Sequence, residues 1–573
     1  MTAGWIPTSW YVSSREMTGN LQPSPRGGSR VVVPPRPSAT CAYLSSDVHV
    51  RSQRGAEQPV QARDVTVRDV PAGTSGGPPT RHCPSMDSRR TLIQPNRSRA
   101  AKAEEDMMVS ARRSVRKTGV LALTIFATLL GVPAAAAQEG MIALVGGQLL
   151  DGYEVPPIHH AAVVIEGNRI VAVGPASEIE IPPDAEVIDT RGKTMMPGMV
   201  DAHVHIMILG HGDYSRWFPW FEGNDDLVYE TSAKQLLAAG VTAGVDLAAP
   251  MSSLAFRDRV NRNEVPGPRL LASGPWVTRY AWGFLPAELR VLHRTPEEAA
   301  ERTRMLIDAG VDVIKTWIGT TEEDMRAIKA VAGPAGVPIH CHVYAEEVVW
   351  GAIRGGCDVL QHAGSGGSVP PYSQELVDHI AMEGIPVVQT ISHRIWIYPA
   401  TVEFPERLWD PDIIDSFPEP IREQVLNSYT KDDFWRKPYF RTTPRQIRNS
   451  EQAGRQFIDA DAVMAMGTDT GSPLNFHAES AWREVSAFVD MGMTEIEAIS
   501  AATKVSAEVL GLSETGTIEP GKLADIIVVD GNPLFDINVL GYVTDVIKDG
   551  IIYKRDGVPV WETGHAQTSA SGR

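Results

Sequence analysis

Four cysteines in 573 residues are too few for a disulfide framework. Cys41 and Cys83 fall in the first hundred residues, and Cys341 and Cys357 are expected as two buried thiols. Basic charge is also scarce where the chain is most ordered in pattern: residues 138–573 hold 35 Lys and Arg against 61 Asp and Glu, a formal charge of −26. A surface of that sign repels phosphate backbones, which excludes nucleic acid as a partner. No short-period repeat is visible, so solenoids are excluded. What is present is ordinary globular usage, 43% hydrophobic and 21% charged, which rules out a wholly disordered or collagen-like chain.

The first 106 residues read differently from the rest. They carry 14 Lys and Arg, 9 Asp and Glu and 12 Pro, with runs such as Val33-Pro34-Pro35-Arg36-Pro37-Ser38 and no lasting period. Such a segment cannot bury enough apolar surface to offset its ordering entropy, and disorder is expected. Residues 107–137 then form a secretory signal: Arg112, Arg113, Arg116 and Lys117 as the basic part, Val120–Leu130 as the apolar part, and Pro133-Ala134-Ala135-Ala136-Ala137 before Gln138 as the cleavage site. The apolar run falls short of the about 20 residues of a membrane-spanning helix, so no stable anchor is expected after cleavage. Signals start chains, so translation is expected at Met107 or Met108, with residues 1–106 an over-extended reading frame. Arg112-Arg113-Ser114-Val115-Arg116-Lys117 loosely fits a twin-arginine signal. The expected location is periplasmic or secreted.

From Met141 the pattern becomes short apolar strands and turns: Met141–Val145, Ala161–Glu166, Arg169–Val173 and Glu186–Asp189, with a tight turn at Gly167-Asn168. Similar strands return at Asp525–Val529, Val543–Lys548 and Ile551–Tyr553. These predict a small β-sandwich domain built from residues 138–196 and 516–562, with a disordered tail at 563–573. Between them helices and strands alternate. Thr295-Pro296-Glu297-Glu298 opens a helix that Gly310 stops, before a strand at Val311–Thr316. Helix Glu322–Val331 and strand Val337–His342 follow, then helix Ala345–Arg354 and strand Asp358–His362; Leu227–Ala239 with Val241–Leu247 has the same form, and Thr494-Glu495-Ile496-Glu497 is another capping box. The alternation predicts an α/β fold, a (β/α)8 TIM-type barrel over 197–515.

In such barrels the reacting groups stand at the C-terminal ends of strands. Met199-Val200-Asp201-Ala202-His203-Val204-His205 turns both histidines to one face. Val313-Ile314-Lys315 sets a lysine in an apolar strand, Pro338-Ile339-His340-Cys341-His342 and Val359-Leu360-Gln361-His362 end the next two, and Met466-Gly467-Thr468-Asp469 ends a late one. Imidazoles and a carboxylate at strand ends suit zinc or a similar divalent ion. His340 and His342 share a face, and either could ligate. Asp201 is expected to stabilise the first strand end or support a ligand histidine. His211, His293 and His393 are secondary, and His477 suits either a substrate contact or a surface role.

These motifs, with Gly310-Val311-Asp312-Val313-Ile314-Lys315, His342-Val343-Tyr344 twenty residues before His362, and Gly516-Thr517-Ile518-Glu519-Pro520-Gly521-Lys522-Leu523-Ala524-Asp525, resemble the amidohydrolase superfamily over about residues 141–560. Within it they resemble the secreted imidazolonepropionase-like branch that includes Xaa-Pro dipeptidases, carboxypeptidases and ochratoxin-type amidases. The resemblance implies two divalent ions, zinc being expected: His203, His205 and Asp469 on one, His342 and His362 on the other, and a carbamylated Lys315 between them. A bare ammonium there would be repelled by several kcal/mol even at an effective dielectric of roughly 20, so Lys315 is carbamylated, the site holds one ion, or the lysine turns to solvent.

The expected reaction is hydrolysis of a C–N amide bond through a metal-bridging hydroxide, with Asp469 as general base and then acid. Expected substrates are small amides or peptides: dipeptides, N-acyl amino acids or ochratoxin-like amides. Arg279, Arg394 and Tyr344, with His477 and His340 nearby, are candidates for substrate contact. Trp217-Phe218-Pro219-Trp220-Phe221, Trp276, Tyr280, Trp282 and Phe284 suit an apolar pocket, and His393–Ser450, with Trp396, Tyr398, Trp409, Trp435 and Tyr439, reads as an inserted lid. A homo-oligomer is expected. The alternatives are a cyclic amidohydrolase or deaminase, or a noncatalytic barrel scaffold.

Overall fold

The structure, a computed structural model, describes residues 140–562 apart from 282, 284, 367–370, 394–396 and 431–437, and only the backbone at 438–442. The expected signal, the residues before it, the tail from 563, Cys41, Cys83, Trp282, Phe284, Arg394, Trp396, Trp435 and the side chain of Tyr439 lie outside the described residues.

Numbered along the chain, the strands are β1 Met141–Val145, β2 Gln148–Leu149, β3 Ala161–Glu166, β4 Arg169–Pro175, β5 Glu186–Asp189, β6 Thr194–Pro197, β7 Met199–Val204, β8 Val241–Asp246, β9 Arg269–Ala272, β10 Trp276–Thr278 and β11 Arg290–Leu292. They continue as β12 Ile314–Thr316, β13 Ile339–His342, β14 Val359–Gln361, β15 Val387–Val388, β16 Met464–Ala465, β17 Ile526–Val529, β18 Val543–Lys548, β19 Ile551–Arg555 and β20 Val558–Pro559.

Two sheets come from the β-rich ends. One runs β4-β3-β1-β5; the other, β2-β6-β17-β18-β19-β20, mixes strands from both ends of the described chain, with Thr194 of β6 opposite Val529 of β17. The expected turn at Gly167-Asn168 joins β3 to β4, Gly167 adopting φ +57°. Alternate residues of both sheets share one apolar cluster, Leu144 and Ile165 meeting Ile526, Val528 and Ile547.

The middle of the chain is α/β. Strands β7-β8-β9 form one parallel sheet and β11-β10-β12-β13-β14-β15-β16 another. Every residue of β7 and β8 is buried, as parallel strands covered on both faces must be. The two sheets are tied at both ends. The Ala202 amide of β7 donates to Met466 O next to β16 (2.8 Å), and the Asp312 amide before β12 donates to Ala272 O of β9 (2.9 Å).

Local chemistry sets the helices between them. Thr295 accepts from the Glu298 amide at the start of Pro296–Asp308, and Thr321 with Asp324 closes a capping box on Glu322–Ala335. That second helix runs past the expected end at Val331 because Gly336, left-handed at φ +70°, terminates it. β12 begins at Ile314, three residues later than expected.

The stretch after β15 was expected as a lid. It forms helices, among them Glu419–Tyr429, and it is anchored at several points: the Gly212 amide donates to Ser428 Oγ (2.9 Å), the Leu474 amide to Tyr429 Oη (2.8 Å) and Gln235 Nε2 to Ser416 Oγ (2.8 Å). It therefore forms a wall tied to the loops that follow β7 and β16. Among the described residues, no helix is long and apolar enough to cross a membrane.

One expectation is overturned. Cys341 and Cys357 are not a pair of thiols but a disulfide, with Cα atoms 6.2 Å apart. Cys341 lies in β13, Cys357 just before the neighbouring parallel strand β14, and that adjacency brings two positions separated by a whole helix within bonding reach. Closing a loop of roughly 15 residues stabilises a fold by about 3 kcal/mol. Cys357→Ser is therefore expected to lower the urea-unfolding free energy by about 2–4 kcal/mol, and reductant should destabilise the parent chain by a similar amount without affecting the variant. Unfolding of the parent that is indifferent to reductant would deny the bond this contribution.

Candidate functional site

Strand ends β7, β12, β13, β14 and β16 converge on one cavity of about 490 Å³, lined among others by His203, His205, Lys315, His342, His362 and Asp469. All six residues expected as ligands are thus brought together. Asp469 Oδ1 is 3.2 Å from His205 Nε2 and 3.8 Å from His203 Nε2. The rings of His203 and His362 are 4.4 Å apart, and those of His342 and His362 4.8 Å. Ligand atoms of His203, His362 and Asp469 lie within 4.8 Å of one another, so His362 stands with the group expected around the first ion as well as beside His342.

Hydrogen bonds behind the cavity orient this cluster. Asp201, wholly buried, accepts the His203 amide (3.0 Å) on Oδ1 and the Thr468 hydroxyl (2.7 Å) on Oδ2, tying β7 to the loop after β16. Burial pushes its carboxyl up to about 7 against those bonds. Gly467 permits the approach, since a Cβ there would meet Val388 Cγ1 at 2.3 Å and the His203 amide nitrogen at 3.0 Å. His203 Nδ1 donates to Gln361 Oε1 (2.6 Å), and Gln361 Nε2 donates to His340 Nδ1 (3.0 Å). This bridge leaves the His203 Nε2 lone pair facing the cavity and engages the Nδ1 lone pair of His340, which does not line it. His362 Nδ1 bonds the Thr390 hydroxyl at 2.9 Å, which directs its Nε2 inward.

The electrostatics follow from desolvation. Burial holds His203 and His362 well below the usual imidazole range, with the Lys315 charge adding to the effect at His203 and the His203 charge at His362. Burial lowers the Lys315 amine to about 7, opposed by Asp469. Burial alone would raise Asp469, but the hydrogen bond from His205 and the neighbouring charges of His362, His203 and His205 together outweigh it and keep the carboxyl well below the usual range. The result is neutral imidazoles at His203 and His362 beside an ionised carboxylate; among the described residues, the buried nitrogens without a hydrogen-bond partner include His203 Nε2 and Lys315 Nζ. Native interiors rarely leave such atoms unsatisfied. Imidazole nitrogens and a carboxylate aimed at one space fit a divalent ion.

The expected substrate contacts fare differently. Arg279 does not line the cavity: its guanidinium grips the buried Asp324 carboxylate with two bonds (2.5 and 2.7 Å). His477 contacts neither substrate space nor solvent; it is buried, and its Nε2 donates to the His205 carbonyl (3.0 Å). Tyr344 packs its ring on His342 (4.6 Å) and His362 (6.2 Å) without lining the cavity. His211 accepts the Asp213 amide, His293 approaches Asp324 at 3.3 Å and His393 donates to Pro473 O.

Gln361, Thr390 and Trp317 are participants that the sequence reading did not single out. Gln361 is a polar residue inside an apolar strand, and Trp317 follows Lys315 by two on the same face, so both carried a signal. Thr390 carried none, because its role depends on φ +53°.

A model described as the amidohydrolase family matches residues 194–552. An ochratoxinase from Aspergillus niger is 24% identical over 481 residues, covering 74% of this chain and 90% of that protein. An imidazolonepropionase from Haloarcula marismortui is 24% identical over 409 residues, covering 67% and 87%. The solved structure of a Xaa-Pro dipeptidase with bound methionine in the active site is 25% identical, with a TM-score of 0.56, covering 72% of this chain and all of that one.

Loss of a bond that orients a metal-binding histidine typically costs 10–100-fold in metal affinity. Thr390→Val, which keeps shape but removes the hydroxyl, is expected to weaken divalent-metal binding by about that factor in calorimetric titration, and Thr390→Ser should retain it. Equal affinities in the two variants would refute the role of the Thr390 hydroxyl.

Proposed function

This chain belongs to the amidohydrolase family, a metal-dependent family, and is a hydrolase acting on C–N bonds; from that premise we propose that it cleaves the amide bond of a small molecule bearing a bulky apolar group. The observation that carries the reading is the cavity itself, in which Met207, Ile208, Phe218, Trp276, Leu285 and Trp317 lead directly onto His203, Lys315 and Asp469. Apolar walls with a few convergent polar groups are the ordinary form of a small-molecule site.

His203, His205, His342, His362, Asp469 and a carbamylated Lys315 would hold two divalent ions, zinc suiting the donor set. Carbamylation adds CO2 to the amine, releases one proton and gives an anion where an ammonium would be repelled; the burial of Lys315 Nζ without a hydrogen-bond partner supports it. When bound, such ions supply an acidified water and polarise the amide carbonyl. Asp469, ionised and beside His205, accepts a proton from the water that adds to the carbonyl carbon and delivers it to the nitrogen as the C–N bond breaks. His203 and His362, kept neutral by burial, leave their lone pairs free to ligate.

The strand pairings support a closed (β/α)8 barrel, since Val204 of β7 is bridged to Thr470 in the segment after β16 and the other edge is bonded through Ala272 and Asp312. The shared apolar cluster supports a β-sandwich for the two remaining sheets. The Cys341–Cys357 bond supports a periplasmic or secreted location, since disulfides persist in oxidising compartments.

The test is Asp469→Asn in metal-loaded protein, assayed against N-acyl amides with large and small acyl groups. Loss of the general base is expected to lower kcat by roughly 10²–10⁴-fold, while metal content stays within a factor of about two by elemental analysis. Unchanged kcat with metal retained would refute the role of Asp469.

A further inference from the structure

We propose that the paired indoles of Trp276 and Trp317 form a subsite for an uncharged, planar aromatic ring lying next to the scissile C–N bond. This rests on the reading of the cavity as the hydrolytic site. The two rings stack at 4.4 Å with 21° between their planes. Trp276 is held by its indole N–H, which donates to the Leu247 carbonyl at 2.8 Å. Its ring meets His205 edge-on at 6.2 Å, and Trp317 meets His342 edge-on at 6.1 Å. The indole pair therefore spans the polar cluster from the histidine after β7 to the histidine ending β13. Met207, Ile208 and Phe218 line the same cavity, so a flat ring entering it meets aliphatic, thioether and phenyl groups besides the indoles. Aromatic rings gain from such offset or edge contacts beyond the area they bury, and thioethers add to them.

Charge narrows the class. Among the described lining residues the sole lysine or arginine is Lys315, which lies inside the polar cluster and is 1% exposed. Arg279 is engaged by Asp324. Asp213 also lines the space, with its carboxylate accepting the amide and hydroxyl of Ser215. An anionic group on the ring would lose its hydration against indole and phenyl surfaces, in a space that a carboxylate also lines, a cost that a neutral ring does not carry. The substrate class is thus an aryl or arylalkyl amide, or a urea or carbamate of the same shape, whose aromatic part carries no charge.

The test uses 2-acetylnaphthalene, a planar neutral ketone with no C–N bond to cleave, titrated calorimetrically into the metal-loaded chain. Cyclohexyl methyl ketone and the 6-sulfonate of the same naphthyl ketone serve as nonplanar and anionic comparisons. Binding of the naphthyl ketone at least tenfold tighter than either is expected, with Trp317→Leu and Trp276→Leu each losing at least fivefold and Trp317→Phe, which keeps a ring, losing less than threefold. Equal affinity for the two uncharged ketones, equal affinity for the sulfonate, or undiminished binding in Trp317→Leu would overturn the subsite. The reaction is scored separately: turnover of aliphatic amides without any preference for the naphthyl ketone would defeat the subsite and leave hydrolysis standing. Ketone binding that depends on both tryptophans, with no amide cleaved, would keep the subsite and defeat the hydrolytic reading.

Discussion

An amine, a carboxylate and several imidazoles lining one cavity impose the condition that the rest of the structure meets. The interior of a parallel α/β core is ordinarily filled with branched apolar side chains, and each buried polar atom left unpaired costs about 1–3 kcal/mol. Apart from the His205–Asp469 contact within the cluster, the orienting partners lie on its outer side. Asp201 binds the His203 amide and Thr468, Gln361 bridges His203 and His340, and Thr390 holds His362. The atoms they leave over point into the same cavity. A network satisfied behind and open in front is what a preorganised ligand site requires, because its donors need no rearrangement when charge arrives.

Holding those atoms in place strains the backbone. His362, Thr390 and Asp469 adopt φ values of +63°, +53° and +54° at the ends of three successive strands. Each such residue costs on the order of 1–3 kcal/mol, and Thr390, being β-branched, is the least suited to it. The compensation is visible one step away. Glu484, buried on the helix Ser480–Met491, accepts the amides of Ile391 and Ser392 at 2.8 and 2.7 Å, directly after Thr390. Charge-assisted bonds of that kind are among the stronger ones in a protein interior. A helix on the outside of the sheet thus secures the turn that places a hydroxyl against His362.

This division explains what could be read from the chain alone. Strand ends bearing His203, His205, Lys315, His342, His362 and Asp469 were legible because period-two geometry puts them on one face and because imidazole, amine and carboxylate are out of place in apolar strands. The helix starts at Thr295 and Thr494 and the stop at Gly310 were legible because their chemistry is local. Arg279 and His477 were misread because a polar residue near a strand end has two fates, the cavity or a buried partner, and only the fold shows where Asp324 and the His205 carbonyl lie. The Cys341–Cys357 bond was hidden for the same reason, since it depends on which strands are neighbours. β15, two residues long, carried too short a pattern to register.

Chemistry and selectivity are consequently built from different parts of the chain. The polar donors sit on strands and immediate strand ends, fixed by neighbours in the sheet. The apolar walls come largely from segments beyond them, Met207 and Ile208 on the loop after β7 and Phe218 on the helix Tyr214–Phe221, joined by Trp276 in β10 and Trp317 directly after β12. The wall-forming stretch after β15 acts at one further remove, securing the loops after β7 and β16 through Ser428 and Tyr429. It is in turn held where Arg407 meets Glu479, a carboxylate that also accepts from Arg483 at 2.6 Å. Changes in that outer layer can reshape the cavity while the donors keep their positions, because none of the hydrogen bonds that orient His203, His362 or Asp201 passes through it. A fold organised this way can alter what it binds without rebuilding the groups that react.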